Sequence, residues 1–380
     1  MELKAYRFDE ITVNFDRKRV PLSGAQRERR RGNYRYYGAQ GVIDYVDDYI
    51  FDGTYLLIAE DGENLKSKKQ NIAQIATGQF WVNNHAHIVQ GNDLCDTRYL
   101  CYLLNSMDLS GYITGSAQPK LSQGNLNAVT VMLPDVSTQK RIVDYLYAID
   151  RKIENNDRIN DNLQQQAYAY FLRLFVENAD PTWCIGTLSD LGTIVGGGTP
   201  SKAKPEYYTE NGIAWITPKD LSVDKSKFIA HGENDISELG YRSSSATMMP
   251  AGTVLFSSRA PIGYIAIASN DVTTNQGFKS VVPHAEIGTP FIYYFLIHNL
   301  PLIESKASGS TFKEVSGSVM KSVEAVIPDG ATIAQFNDFC QPIFEMQAKL
   351  EQENKKLAAM RDSLLPRLMS GEIDVSDIDI

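Results

Sequence analysis

Two histidines, two Pro-Asp steps, a glycine run and a crowd of arginines have the types and spacing that could do chemistry in this chain. His85 and His87 alternate along a predicted strand, Phe80–Val89, which would aim both rings at one face. A metal site needs three or four ligands, and no carboxylate or cysteine stands in a ligand motif around this pair, so no metal is expected. Pro134-Asp135 and Pro328-Asp329 begin like a nuclease motif, but no acidic-x-Lys follows at a useful spacing. Both recur where a strand gives way to a helix, as a structural turn would. Gly196-Gly197-Gly198 has the composition of a backbone anion cradle, although alone it reads better as a flexible loop. There is no GxxxxGK[ST] phosphate loop and no NPPY-like tetrapeptide of the amino-methyltransferases. No catalytic residue is expected.

Binding chemistry remains. Arg17, Lys18, Arg19, Arg27, Arg29, Arg30, Arg31 and Arg35 crowd one stretch, with only Asp16 and Glu28 against them. The whole chain is acidic, at a net charge of −9, and its acid collects in Asp44, Asp47, Asp48 and Asp52 and in a tail holding Glu372, Asp374, Asp377 and Asp379. A locally basic, globally acidic chain suits nucleic-acid binding inside a larger assembly; a solvated loop is the other reading of the arginine run. Arginine and lysine grip phosphates, arginine also bonds both acceptors of a guanine edge, and Asn or Gln can pair with adenine. The candidate DNA contacts are therefore Arg27, Arg29, Arg30, Arg31, Arg35 and Lys120 in the first half. In the second half they are Lys202, Lys219, Arg242, Ser258, Arg259, Asn275, Gln276 and Lys279. Asn275 and Gln276 equally suit a role satisfying buried backbone groups.

The elements that must position these residues come in two sets. A length of 380 residues suits two domains, and 43% hydrophobic with 22% charged residues is an ordinary globular composition. The longest apolar run, Phe291 to Ile303, is broken by His298, Asn299 and Pro301 and is too short for a bilayer, which needs ~20 apolar residues. The N-terminus does not resemble a signal peptide, and Cys95, Cys101, Cys184 and Cys340 are scattered. A reducing, cytoplasmic location without membrane contact is expected.

The segment GSAQPKLSQGNLNAVTVMLPD from Gly115 matches GSTFKEVSGSVMKSVEAVIPD from Gly309 without a gap. Ser116/Ser310, Ser122/Ser316, Val129/Val323, Pro134/Pro328 and Asp135/Asp329 coincide, and the register continues to Asn160/Asn354 and Leu163/Leu357. Upstream, Gly53-Thr54 resembles Gly252-Thr253, and Asn83 falls opposite Asn275. The chain is a diverged tandem duplication. Each copy begins with short β-type runs, such as Thr54–Ala59, Thr253–Ser257 and Ser280–Pro283, and ends in a long amphipathic helix.

The first seam runs Ile142, Leu146, Ile149, Ile153, Asn156, Asn160, Leu163, Ala167, Tyr170, Leu174, with Ser137 or Thr138 as cap. The second runs Phe336, Cys340, Ile343, Gln347, Leu350, Asn354, Leu357, Arg361, Leu364, Leu368. Gln347 and Arg361 should weaken it, and Pro342 and Pro366 should kink or interrupt it. Asn160 and Asn354, at matched positions, should fix the register by pairing their amides. Forty helical residues span ~60 Å, longer than a compact domain of this size needs. The expected boundaries are 1–136 and 179–330 for the two domains, 137–178 and 331–370 for the helices, and 371–380 for a tail lying near the N-terminal segment.

YYGAQGVIDYVDDYIFDGTYLLIAEDG, from Tyr36 to Gly62, resembles the first target-recognition domain of type I restriction-modification specificity subunits. GGTPSKAKPEYYTENGIAWITPKDLS, from Gly197 to Ser222, resembles the opening of the second, and GTVLFSSRAPIGYIAIA and TTNQGFKSVVP continue it. AIDRKIENNDRINDNL and MRDSLLPRLMSGEIDV resemble the family's spacer regions. The resemblance covers nearly the whole chain. It implies an α+β protein: two pseudo-symmetric α/β target-recognition domains separated by two long antiparallel coiled-coil helices.

In that family each domain reads one half of an interrupted sequence in double-stranded DNA, and the helices dock two methyltransferase (modification) subunits. Those subunits bind S-adenosylmethionine, while a restriction/translocase subunit uses ATP and Mg2+; none of these would sit on this chain. With Gly53 set opposite Gly252, the SSRAPIG of Ser257 to Gly263 meets Ile58 to Asn64, so the basic SSR element is absent from the first half. Rival readings are a duplicated protein-interaction scaffold without DNA specificity, an enzyme with an unrecognised site, or the same fold serving a methylation-only or phage-defence complex.

Overall fold

The computed structural model describes residues 2–116, 118–309 and 313–375. Ser310 of the repeat and the tail acids Asp377 and Asp379 lie outside the described residues.

The longest elements follow the two apolar stripes. One helix runs Val136–Leu172 and continues as a π-turn over Arg173–Glu177; the other runs Gly330–Met369. Their caps differ from the expectation. Asp135, not Ser137 or Thr138, takes the first free N–H groups, accepting from Ser137 N at 2.9 Å, Thr138 N at 3.0 Å and the Thr138 hydroxyl at 2.7 Å. Asp329 does the same for Thr332, at 3.0 and 2.8 Å. A carboxylate satisfies orphan donors and complements the helix dipole, which explains why both Pro-Asp steps precede helices. These bonds, the Thr138 hydroxyl foremost, hold the Asp135 carboxyl down at about 2. The second helix is not broken by Pro342 or Pro366. Both prolines, and Asp338 and Asp362 four residues before them, are exposed, so the carbonyls left without a donor sit on the solvent side.

The chain forms two compact units: residues up to Ile153 with those from Lys356 onward, and Glu154–Lys355. The first has a six-stranded sheet in the order Thr12–Asn14, Ala86–Gly91, Phe51–Ala59, Ala73–Val82, Arg31–Gly38, Gly41–Val46. The expected strand Phe80–Val89 is thus two strands parted by a turn, because the Asn83 side chain accepts from His85 N at 2.9 Å. A two-stranded ladder, Lys4–Arg7 against Thr130–Leu133, leads into the first long helix. The core joins Leu100, Leu104 and Leu126 to Ile142 and Leu146 of that helix and to Leu368, Met369 and Val375 from the far end of the chain. Glu2, Lys4 and Asp374 line one cavity, so the described parts of the N-terminal segment and of the tail meet in this unit.

The second unit repeats the plan. Its five-stranded sheet is ordered Gly192–Gly196, Lys279–Pro283, Val254–Ser258, Ile262–Ala268, Phe228–Ile229. A smaller sheet of Tyr208–Thr209, Asn234–Ile236, Ile213–Ile216 and Thr273–Thr274 adjoins it, and the ladder Cys184–Thr187 with Glu324–Ile327 precedes the second long helix. Phe171, Phe175, Phe291 and Phe336 pack ring against ring in its core.

Within each unit the stretches of the two long helices are antiparallel. Asp150 meets Arg361 in the first; Asn156 meets Asn354, and Tyr170 meets Phe336, in the second. Arg361 and Gln347 each have a partner across the seam: Asp150 at 2.9 Å and the Asn160 carbonyl at 3.1 Å. Asn160 and Asn354 do not pair. Asn354 accepts from Asn156 at 2.8 Å and donates to Asp157 at 2.7 Å, while the Asn160 side-chain oxygen is buried without a protein partner. Equivalent positions of an antiparallel pair face each other at one level only, and these asparagines lie away from it.

A cationic cleft in the second unit and its charge-inverted counterpart

Five separated segments of the second unit meet at one cleft of about 490 Å³, lined by Lys202, Trp215, Thr217, Lys219, Glu233, Arg259, Asn275 and Gln276 among others. Five of the eight residues singled out in this half are thereby brought together. The glycine run explains how. A side chain on Gly197 would stand 2.1 Å from the Asn275 carbonyl, and one on Gly198 would stand 2.3 Å from Ala246 N. Gly198 N donates to the Thr274 carbonyl at 2.9 Å, and the Trp215 indole donates to the Gly198 carbonyl at 3.0 Å. The run is therefore neither a flexible loop nor an anion cradle; it lets two backbones touch and close one wall of the cleft.

Lys219 pairs with Glu233, both about two-thirds exposed. Asp220, by contrast, is consumed in holding Thr217 N and Glu233 N, at 2.7 and 2.9 Å. Arg259 lies 3.4 Å from Glu314, and Lys279 lies 3.6 Å from the same carboxylate. Half-exposed pairs of this kind are worth about 0–1 kcal/mol, so a phosphate can displace the acid at little cost. Lys202 and Gln276 are exposed on the rim. Asn275 is partly committed, its side-chain amide oxygen accepting from Gly277 N at 2.8 Å. Ser258 is wholly buried and bonded to the Gly277 carbonyl, which makes it framework rather than contact. Arg242 sits on the short helix Glu238–Arg242 beside Glu238 and does not line the cleft. Sequence reasoning passed over Trp215 and Thr217, although both stand in the motif that contains Lys219.

The first unit disperses its cations. Arg27 donates to Asp44 at 2.9 Å and to the Leu22 carbonyl at 2.8 Å while lying over the Tyr36 ring. Arg30 pairs with Asp47 over the Trp81 ring. These two stitch the helix Gly24–Arg29 and the residue after it to the edge strand Gly41–Val46 and the turn that follows. Arg29, Arg31 and Arg35 are exposed, the last two on the strand Arg31–Gly38. Arg19, part of the run but not a candidate contact, is 17% exposed and pairs with Glu60 at 2.9 Å.

His85 lies in the turn beside Asp61, while His87 is buried on the following strand, bonded to Asp16 at 2.6 Å and the Leu121 carbonyl at 2.8 Å. The two rings do not share a strand face. Among the described residues no cluster of three His, Cys, Asp or Glu side chains is placed to hold a metal.

The backbone bonds correct the alignment of the halves. Glu60 N donates to the His85 carbonyl as Ser258 N does to that of Gly277, and Leu121 N donates to Glu60 O as Val315 N does to Ser258 O. Asn83 and Asn275 make the same turn. Glu60 therefore stands opposite Ser258 and Asp61 opposite Arg259, one residue from the register set on Gly53 and Gly252. At this position the charges are inverted. The first unit has acids on the strand end and Lys120 on the loop bridged to it, 3.3 Å from Glu60; the second has Arg259 on the strand end and Glu314 on the bridged loop.

The model of the type I restriction modification DNA specificity domain matches residues 4–165 and again 181–356. The MjaIX specificity subunit of Methanocaldococcus jannaschii is 36% identical over 181 residues, which are 46% of this chain and 42% of that protein. The HindI specificity subunit of Haemophilus influenzae is 25% identical over 416 residues, 88% of this chain and 87% of that protein. The fold resembles that of the solved type I S subunit from M. genitalium, with a TM-score of 0.64 over 97% of this chain and 96% of that one, at 15% identity. No helix among the described residues is long and apolar enough to cross a membrane. Two matched copies of the specificity domain, each α/β and each packed on a stretch of both long helices, place the chain among the type I restriction-modification specificity subunits.

Proposed function

We propose that each domain reads one half of an interrupted DNA target and that the paired helices set the gap and dock two methyltransferase subunits. The chain then supplies the address, and catalysis belongs to its partners in the cytoplasm. Those partners are S-adenosylmethionine-dependent modification subunits and a restriction/translocase subunit using ATP and Mg2+. The observation that carries this is the cleft that gathers Lys202, Lys219, Arg259 and Gln276 from separate segments, a set suited to phosphates and base edges. The inverted pair of the first unit supports two heads of one design that read different sequences.

Methylome sequencing of cells with and without the gene is the test. A two-part motif that disappears on deletion is expected; a continuous motif, or none, would refute the proposal. Binding by the assembled complex should also weaken steeply with salt, as counterion release requires, whereas a protein-interaction scaffold would show no such DNA binding.

A further inference from the structure

We infer that Lys227 is a positioning residue that pins the second recognition domain to both long helices and so holds the gap between half-sites to one value. This rests on the two-headed reading above and deepens it. Among the described residues no other lysine or arginine is buried, and Lys227 is only 7% exposed. Its ammonium donates to Gln164 on the first long helix at 3.0 Å and to Gln347 on the second at 2.9 Å. The rings of Phe344, Tyr293 and Tyr294 surround it, with centroids 3.5, 4.3 and 5.1 Å away.

The backbone completes the joint. Lys227 N and Phe228 N donate to the Glu351 carboxylate of the second helix at 2.8 and 3.1 Å, and the Lys227 carbonyl accepts from Ile267 N of the domain's sheet at 2.7 Å. One residue thus ties the sheet edge to two helices. An apolar side chain would fill an aromatic cage without the cost of desolvating an ammonium. What the amino group adds is direction, because its N–H groups are committed to glutamines on two different helices and to the Tyr294 hydroxyl at 3.4 Å. In the first unit a different link reaches both helices: the Tyr102 hydroxyl donates to Asp150, which also pairs with a partly exposed Arg361.

The test is methylome sequencing of cells carrying the wild-type gene, Lys227→Met or Gln164→Leu. Methionine keeps the length and the ring contacts but loses both glutamine bonds; the Gln164 variant removes one anchor alone. Both variants should keep the two half-site sequences, while modification of targets with a gap one base pair longer or shorter rises at least tenfold. A uniform fall at all targets with the gap as strict as before would show a merely structural role and overturn the inference. If Lys227→Met gives no modification at all, Gln164→Leu decides: a widened gap supports the pin, an unchanged gap refutes it. A wild-type methylome lacking any two-part motif would remove the underlying reading before the variants are compared.

Discussion

Arg259 has an acid beside it and an open cleft before it, and the balance between the two sets its value to DNA. Replacing it with alanine should weaken binding by ~1–3 kcal/mol, the scale of one good arginine contact to a base edge. Discrimination against targets altered in the second half-site should shrink while discrimination at the first stays as it was; equal losses at both halves in a binding competition would show that the heads do not read independently. His87 invites a different measurement. Burial alone would lower its imidazolium, yet the Asp16 carboxylate, the Leu121 carbonyl and Glu60 raise it above the ordinary 6.5. Asp16 is held below its usual range against the pull of burial by His87, Ile88 N and Arg19. A raised base contributes stability that is complete below pH 6.5 and fades as pH climbs through the folded value. The depressed acid keeps its share until strong acid. His87→Gln should therefore cost most stability near pH 5.5 and least near pH 9, as read from urea midpoints. An equal cost at both would mean that the ring stays neutral.

At the scale of elements, the helix pair carries an asymmetry that the matched asparagines concealed. Asn354 has two side-chain partners across the pair, whereas the Asn160 amide oxygen is buried with none. Asn354→Leu should destabilise by ~1–3 kcal/mol, because it leaves the buried Asn156 amide with Glu353 as its acceptor and takes the Asn354 donor from Asp157; Asn160→Leu should be neutral or stabilising. Equal destabilisation by both in thermal unfolding would restore the amide pair as the register device. The long helices were legible because a stripe at three- and four-residue steps survives whatever packs against it. Their prolines misled, since the sequence does not show that Pro342 and Pro366 face solvent. The recognition sheets were less legible. Their strands are short, turns such as Asn83–His85 hide inside apolar runs, and two nearby glycines set the halves one residue out of register. The cleft was half readable: cations in loops can be picked out from sequence, but that Ser258 is interior and Arg27 a stitch depends on contacts between distant segments.

For the whole molecule, the proposed ruler has a direct length test. One heptad adds about 10 Å of helix. Inserted at matched places in both helices, it should lengthen the preferred gap by about three base pairs at 3.4 Å each; inserted in one helix alone, it should abolish modification. A gap unchanged by the matched insertions would contradict the ruler. The first unit is also discontinuous in sequence: its core is filled in part by Leu368, Met369 and Val375. On the ribosome, the first domain to emerge must therefore wait until the whole second domain has been translated before its interior closes, while Glu154–Lys355 can finish on its own. Until then its nascent chain exposes a greasy gap at the position these residues will fill. A stop codon placed just after Lys355 would spare the late-made half and leave the early-made one as the substrate of chaperones and proteases.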